Sequence, residues 1–226
     1  MVNWKQEAVC ADNRATAVIL NAVKDLFRKG TIHMINVLAI YGSHRRGHNS
    51  DLLLDKLLEG IGTDEARIEK IYASSQGIRS CTACEGCYKL GRCVIKDDMQ
   101  RIYQAIDNAD IVISASPVYF YTVTSDMKKL IDRCQAVWAG KYKTGDSVIS
   151  KKHRLGYIIC TAGEPEDRSY FDCTLKVFEL FYKCINTELQ GTLLVSDVDT
   201  REAKDRPDIQ YEAIEAGRRL RALLTE

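Results

Sequence analysis

Short apolar runs recur along this chain, each followed by a polar loop and then a helical pattern. That alternation restricts the fold more than any other feature. Ile35-Asn36-Val37-Leu38-Ala39-Ile40 is mostly apolar over the length of a strand, as for a strand covered on both faces. Asp110-Ile111-Val112-Ile113-Ser114-Ala115-Ser116 and Arg154 to Cys160 repeat it, with weaker runs at Ala66 to Ala73 and Gly191 to Val195. Amphipathic segments stand between them. One runs from Asp51 to Glu59, and a second opens at Asp97 or Asp98 and carries Met99, Ile102, Tyr103 and Ile106. A third is capped by Thr124 or Ser125 and turns Met127, Leu130, Ile131 and Cys134 inward. Leu175, Phe178, Tyr182 and Ile185 mark a fourth, and Ile209, Ala213, Ala216, Leu220 and Leu223 a fifth. The chain therefore reads as α/β, three layers around five parallel strands. In such sheets ligands sit outside the carboxyl ends of the strands, at the switch in strand order.

Before the first strand, Asp12 or Asn13 caps a helix expected to reach about Lys29, with Ala15, Ile19, Ala22 and Leu26 on one face. At 226 residues the chain suits one sizeable domain. A formal net charge of +1 argues against a broad nucleic-acid surface or a polybasic membrane patch. Met1 to Arg14 is polar and does not read as a secretory leader, and no apolar run reaches bilayer length. Nine cysteines in that setting point to a reducing cytoplasm, where thiols serve metals, catalysis or packing rather than disulfides. Cys134, Cys160, Cys173 and Cys184 fall among core-type positions and read as packed thiols.

The first strand runs into Tyr41-Gly42-Ser43-His44-Arg45-Arg46-Gly47-His48-Asn49-Ser50 and directly into a helix. Strand, glycine-bearing polar loop and helix start make a natural phosphate site. Helix N-terminal amides point at the anion, while hydroxyls and a guanidinium add donors. Ser43, Arg45, Asn49 and Ser50 are the candidates, and a solvated turn with an Asn or Ser cap is the plain alternative. The loop matches neither G-x-G-x-x-G nor G-x-x-x-x-G-K-[ST], so nothing supports dinucleotide or triphosphate binding through those devices. The third strand ends in Pro117-Val118-Tyr119-Phe120-Tyr121-Thr122 and the fourth in Thr161-Ala162-Gly163-Glu164-Pro165, loops that converge on the same edge.

After the second strand comes Cys81-Thr-Ala-Cys84-Glu-Gly-Cys87-Tyr-Lys-Leu-Gly-Arg-Cys93, with spacing C-x₂-C-x₂-C-x₅-C. Thiolates so spaced can each ligate a different iron of one [4Fe–4S] cluster. Structural zinc usually takes two separated C-x₂-C pairs, whereas these overlap at Cys84. Zinc and a metal-free thiol group remain the alternatives.

Gly42–Ser50, Ser116–Tyr121 followed by Met127-Lys128-Lys129-Leu130-Ile131-Asp132-Arg133, and the cysteine run together resemble the NAD(P)H-dependent FMN reductase branch of the flavodoxin-like superfamily. More closely, they resemble its iron–sulfur flavoproteins. The resemblance covers about Ile35 to Gly163. It implies a flavodoxin-like doubly wound sheet of order 2-1-3-4-5, and residues 1–226 as one FMN-binding domain. Residues 1–34 would be its N-terminal helical extension and 77–96 its cluster loop. Ser43, Arg45, Asn49 and Ser50 would hold the FMN phosphate. Pro117, Val118, Tyr119 and Phe120 would line the ribityl chain and ring, with Thr161, Ala162 and Gly163 on the far side. Cys81, Cys84, Cys87 and Cys93 would ligate the cluster. His44 stands where proline is common, and Tyr121, where the family often has glycine, narrows access to the flavin.

The resulting expectation is a cytoplasmic oxidoreductase carrying FMN and a [4Fe–4S] cluster, with no side chain assigned as a general acid or base. Electrons would pass from a donor such as ferredoxin to oxygen, peroxide or a quinone, within a homodimer or homotetramer. Two alternatives stand beside it. One is an NAD(P)H-dependent FMN or quinone reductase with zinc-bound or metal-free cysteines; the other is a non-enzymatic electron carrier.

Overall fold

The computed structural model describes residues 34–62, 64, 66–165 and 169–225; the helix expected before Lys29 lies outside them. Five parallel strands form one sheet: β1 (Ile35–Tyr41), β2 (Ala66–Tyr72), β3 (Ile111–Pro117), β4 (Arg154–Thr161) and β5 (Thr187–Val195). Their order is β2-β1-β3-β4-β5, as expected. β1 is central. It pairs with β2 from Ile35 opposite Ala66 to Tyr41 opposite Tyr72, and with β3 from Val37 opposite Ile111 to Tyr41 opposite Ala115. Strand order turns between β1 and β3, which opens a crevice at their carboxyl ends.

Helices cover both faces: α1 (Asn49–Ile61), α2 (Gly86–Leu90), α3 (Met99–Asn108), α4 (Ser125–Arg133), α5 (Gln135–Ala139), α6 (Ser169–Cys184) and α7 (Pro207–Thr225). Successive strand residues point to opposite faces, so an unbroken apolar run feeds two cores. Val37, Ala39 and Tyr41 join Leu53, Leu57, Ala213 and Leu220 of α1 and α7 on one side. Leu38 and Ile40 join Met99, Ile102, Leu130 and Phe178 of α3, α4 and α6 on the other. Each fully buried leucine or isoleucine contributes about 1.5–3 kcal/mol. α1 and α7 meet backbone to backbone through glycine. A Cβ on Gly60 would lie 2.0 Å from the Ile214 carbonyl oxygen, and one on Gly217 2.1 Å from that of Leu57.

Some expectations are corrected. β5 begins at Thr187 rather than Gly191, because the exposed Glu188 and Gln190 of this edge strand break the apolar signal. Leu223 is 50% exposed, the last turn of α7 running past the core. Cys173 is exposed on the outer side of α6, while Phe171 and Thr174 face inward. Cys134, Cys160 and Cys184 are buried as expected. α2 and α5 are five residues each, too short to leave a periodic signal.

Candidate functional site

The loop after β1 folds on itself before α1 starts. Ser43 Oγ accepts the Arg45 N–H at 3.0 Å and lies 3.2 Å from the Arg45 carbonyl oxygen, to which it donates. The Gly47 N–H donates to Asp51 Oδ2 at 3.2 Å. His48 precedes α1 without a side-chain capping bond, which leaves the first-turn amides open to an anion. The Arg45 side chain stands exposed beside them. Thr124 fastens the crevice from the other side: its Oγ1 donates to the Gly42 carbonyl at 2.6 Å and accepts the Met127 N–H at 3.3 Å, capping α4.

A cavity of about 270 Å³ opens at this crevice. Ser43, Arg45, Asn49 and Ser50 line it from the first loop. Pro117, Val118 and Tyr119 line it from the end of β3, and Thr161 and Gly163 from the end of β4. Two expected residues are elsewhere. Ala162 is only 5% exposed, and its N–H donates to the Val195 carbonyl beneath the rim. Phe120 is 101% exposed at the tip of a tight turn in which Tyr119 and Thr122 exchange backbone hydrogen bonds. Tyr121 does not line the cavity either. Its ring stacks on Tyr170 at 5.0 Å, and its carbonyl accepts from Thr174 Oγ1. Asn49 has a second task, since its Oδ1 accepts the Ala203 N–H at 2.8 Å and ties α1 to the turn before α7.

His48, Glu164, Val198 and Asp199 also line the cavity, and the sequence reading did not select them. Val198 and Asp199 follow β5, a loop with no motif. A Cβ on Gly163 would lie 2.2 Å from Asp199 Oδ2, so the close approach of that carboxylate requires the glycine. His44 turns toward α4, its Nε2 2.6 Å from Asp126 Oδ2.

A second cavity, of about 440 Å³, is lined by Cys81, Cys84, Cys87 and Cys93 together with Asp132, Arg133, Gln135 and Ala136 at the α4–α5 junction. Its loop is closed at the neck. Gly77 N–H donates to Asp98 Oδ2 at 2.7 Å and Arg79 N–H to Asp97 Oδ2 at 3.0 Å. Asp97 also accepts from Met99 N–H while its own N–H donates to Gln100 Oε1, a reciprocal box that starts α3. Within the loop Ala83 and Glu85, on either side of Cys84, have φ of 52° and 56°. Left-handed backbone at two non-glycine residues costs about 1–2 kcal/mol each and collects at ligand sites.

The thiols sense these surroundings. A hydrogen bond from the Gly86 N–H, then one from Thr82, lowers the Cys84 pKa and favours its thiolate. Burial raises that of Cys87, and the charges of Cys93, Cys81 and Cys84 add to it, so the other three sulfurs act on this one. Among the described residues, no group of three or more His, Cys, Asp or Glu side chains is arranged to hold a metal ion. The donor set is that of a sulfur-ligated group: four soft thiols around one cavity. The first cavity fits a flavin phosphate in the same sense, since open helix amides and a guanidinium line it together with Pro117, Val118 and Tyr119.

A model of the family described as NADPH-dependent FMN reductase matches residues 35–155. An iron–sulfur flavoprotein of Archaeoglobus fulgidus is 33% identical over 150 residues, 64% of this chain and 64% of that one. Another, from Methanocaldococcus jannaschii, is 32% identical over 125 residues, 54% of this chain and 65% of that one. The chain thus spans just under two thirds of the length of these relatives. An NAD(P)H:quinone oxidoreductase from Methanothermobacter marburgensis shares the fold with a TM-score of 0.62 at 17% identity, over 83% of this chain and 96% of that one.

Proposed function

The chain belongs to the NADPH-dependent FMN reductase family, and from that premise we propose a flavin-dependent oxidoreductase with two redox centres: FMN in the crevice after β1, β3 and β4, and one [4Fe–4S] cluster on Cys81, Cys84, Cys87 and Cys93. The observation that carries this reading is the pair of cavities joined by α4. Thr124 caps that helix against Gly42 beside the first cavity, and Arg133 ends it in the wall of the second. Nine helical residues span about 13 Å.

When bound, the cluster supplies one-electron transfer and the flavin one- or two-electron transfer, which couples a one-electron donor to a two-electron acceptor. The work of the chain is to hold and shape the surroundings. Arg45, Ser43, Ser50 and the first-turn amides of α1 bind the phosphate, and the free side of Asn49 adds a donor. Pro117, Val118 and Tyr119 cover one side of the ring site, with Thr161 and Gly163 across from them and Phe120 at the rim. The Gly86 and Thr82 donors favour the thiolate of Cys84, its ligating form. The curated relatives carry the name iron–sulfur flavoprotein, which supports the cysteine assignment. A ferredoxin as donor, and oxygen, peroxide or a quinone as acceptor, complete the reading, in a homodimer or homotetramer.

Protein prepared anaerobically and assayed for iron, acid-labile sulfide and flavin tests it directly. The expected result is FMN together with iron and sulfide in equal amounts. Zinc without sulfide would overturn the cluster and favour an NAD(P)H-dependent reductase instead.

A further inference from the structure

Two arginines lie fully inside the described part of the molecule, and the fold treats them differently. Arg154 uses all five of its N–H donors. Its Nε donates to the Ile106 carbonyl at 2.7 Å, NH1 to the carbonyls of Lys152 and Ile185, and NH2 to Asp107 through both its carbonyl and Oδ1. Arg133, 1% exposed, uses four. NH1 donates to the Arg79 carbonyl at 2.8 Å and Asp97 Oδ2 at 2.6 Å; NH2 donates to the Ile95 carbonyl at 3.3 Å and Asp97 Oδ1 at 3.1 Å. The fifth donor, Nε–H, is buried without a partner.

A native fold rarely leaves such a donor unmatched, and each case asks for an explanation. Here Arg133 lines the cavity of the four cysteines. Burial works against its charge, but the hydrogen bond to Asp97, and after it the charge of Cys93, hold its pKa above the usual guanidinium value. Arg133 therefore combines a free N–H, a permanent positive charge and a place in the wall beside Cys93. Its other four donors lock it to both sides of the loop neck, so the free donor is held in position.

We propose that Arg133 is a positioning residue of the sulfur-ligated centre, donating its Nε–H to sulfur on the Cys93 side and holding a positive charge beside the cluster. This rests on the cluster reading above. Reduction adds one electron to the cluster, so a fixed cation beside it favours the reduced state and raises the potential, and a hydrogen bond to sulfur does the same. Asp97 opposes this through its own charge. The two residues of one ion pair thus push the potential in opposite directions, which a purely structural clamp does not.

The test is an EPR-monitored redox titration of the full chain, reconstituted anaerobically with iron and sulfide, as wild type, Arg133→Gln, Arg133→Lys and Asp97→Asn. Arg133→Gln is expected to lower the potential and Asp97→Asn to raise it. Arg133→Lys, with the charge but without the Nε–H, should fall between wild type and Arg133→Gln. Iron release to a chelator should quicken about tenfold in Arg133→Gln. Shifts of the same sign in Arg133→Gln and Asp97→Asn, or no shift in either, overturn the proposal while the cluster stands. Should Arg133→Gln fail to fold, the Asp97→Asn shift decides: an unchanged or lowered potential overturns it. Wild-type protein that holds no iron and sulfide overturns the cluster reading, and this inference with it.

Discussion

Asp51 sits in the first turn of α1, where a carboxylate ordinarily gains from the helix dipole, yet its pKa is pushed up to about 6. Burial is the main cause; the Gly47 N–H pulls it back, and the charge of Asp55 raises it again. The residue is 1% exposed, and its Oδ1 has no hydrogen-bond partner. Unfolded, the group loses its proton near the ordinary carboxylate value; folded, it holds the proton up to about pH 6. Between those values unfolding releases a proton, so stability falls as pH rises through the window and is flat above it. The loss is on the order of 3 kcal/mol. Urea midpoints measured from about pH 4 to about pH 7 should show the decline in wild type and a much smaller one in Asp51→Asn; equal slopes would place the titration elsewhere. Because Asp51 accepts from Gly47, this buried carboxyl is tied directly to the loop after β1.

Among the elements, the turn after β3 is the one that local rules alone would not build. Phe120 and Tyr121 have φ of 49° and 62°, the double left-handed pattern of a type I′ hairpin that favours Asn-Gly. Tyr121 recovers part of its cost, about 0.5–1.5 kcal/mol, by stacking on Tyr170. Phe120, fully exposed, recovers nothing within the folded chain. Phe120→Asn is therefore expected to raise stability by about 1 kcal/mol, read as a few degrees in Tm, with Tyr121→Asn near neutral. A drop in Tm for Phe120→Asn would mean that the phenyl ring packs in the free protein. Strained backbone of this kind clusters at functional sites, and this turn follows Tyr119, which lines the first cavity.

On the scale of the whole molecule, the two cavities share no lining residue. One rests on the loops after β1, β3, β4 and β5; the other rests on the loop after β2 and on the α4–α5 junction. Effects at separated sites without common partners add. Arg45→Ala should weaken FMN binding about 10- to 100-fold, the worth of a charge-assisted phosphate contact, and leave iron content unchanged. Cys84→Ser should lose iron and keep FMN affinity. Flavin fluorescence titration and an iron assay on both variants check this, and cross-effects of equal size would show one coupled site. No described helix is long and apolar enough to cross a membrane.

Much of this architecture was legible in the residues. Apolar runs such as Ile35–Ile40 can be satisfied only by cover on both faces, so strand–helix alternation alone leads to the parallel three-layer sheet. Thiol spacing and the glycine-bearing loop after β1 likewise mark local chemistry, because their partners are close in sequence. Tertiary structure alone decided what depends on distant segments. It brings Asp199 against Gly163, sends Phe120 into solvent, and buries Arg133 against a loop neck more than thirty residues upstream. A lone arginine at the end of a helix looks like any solvated cation. Only packing against Arg79, Ile95 and Asp97 engages four of its donors and leaves the fifth buried without a partner, in a residue that lines the cysteine cavity.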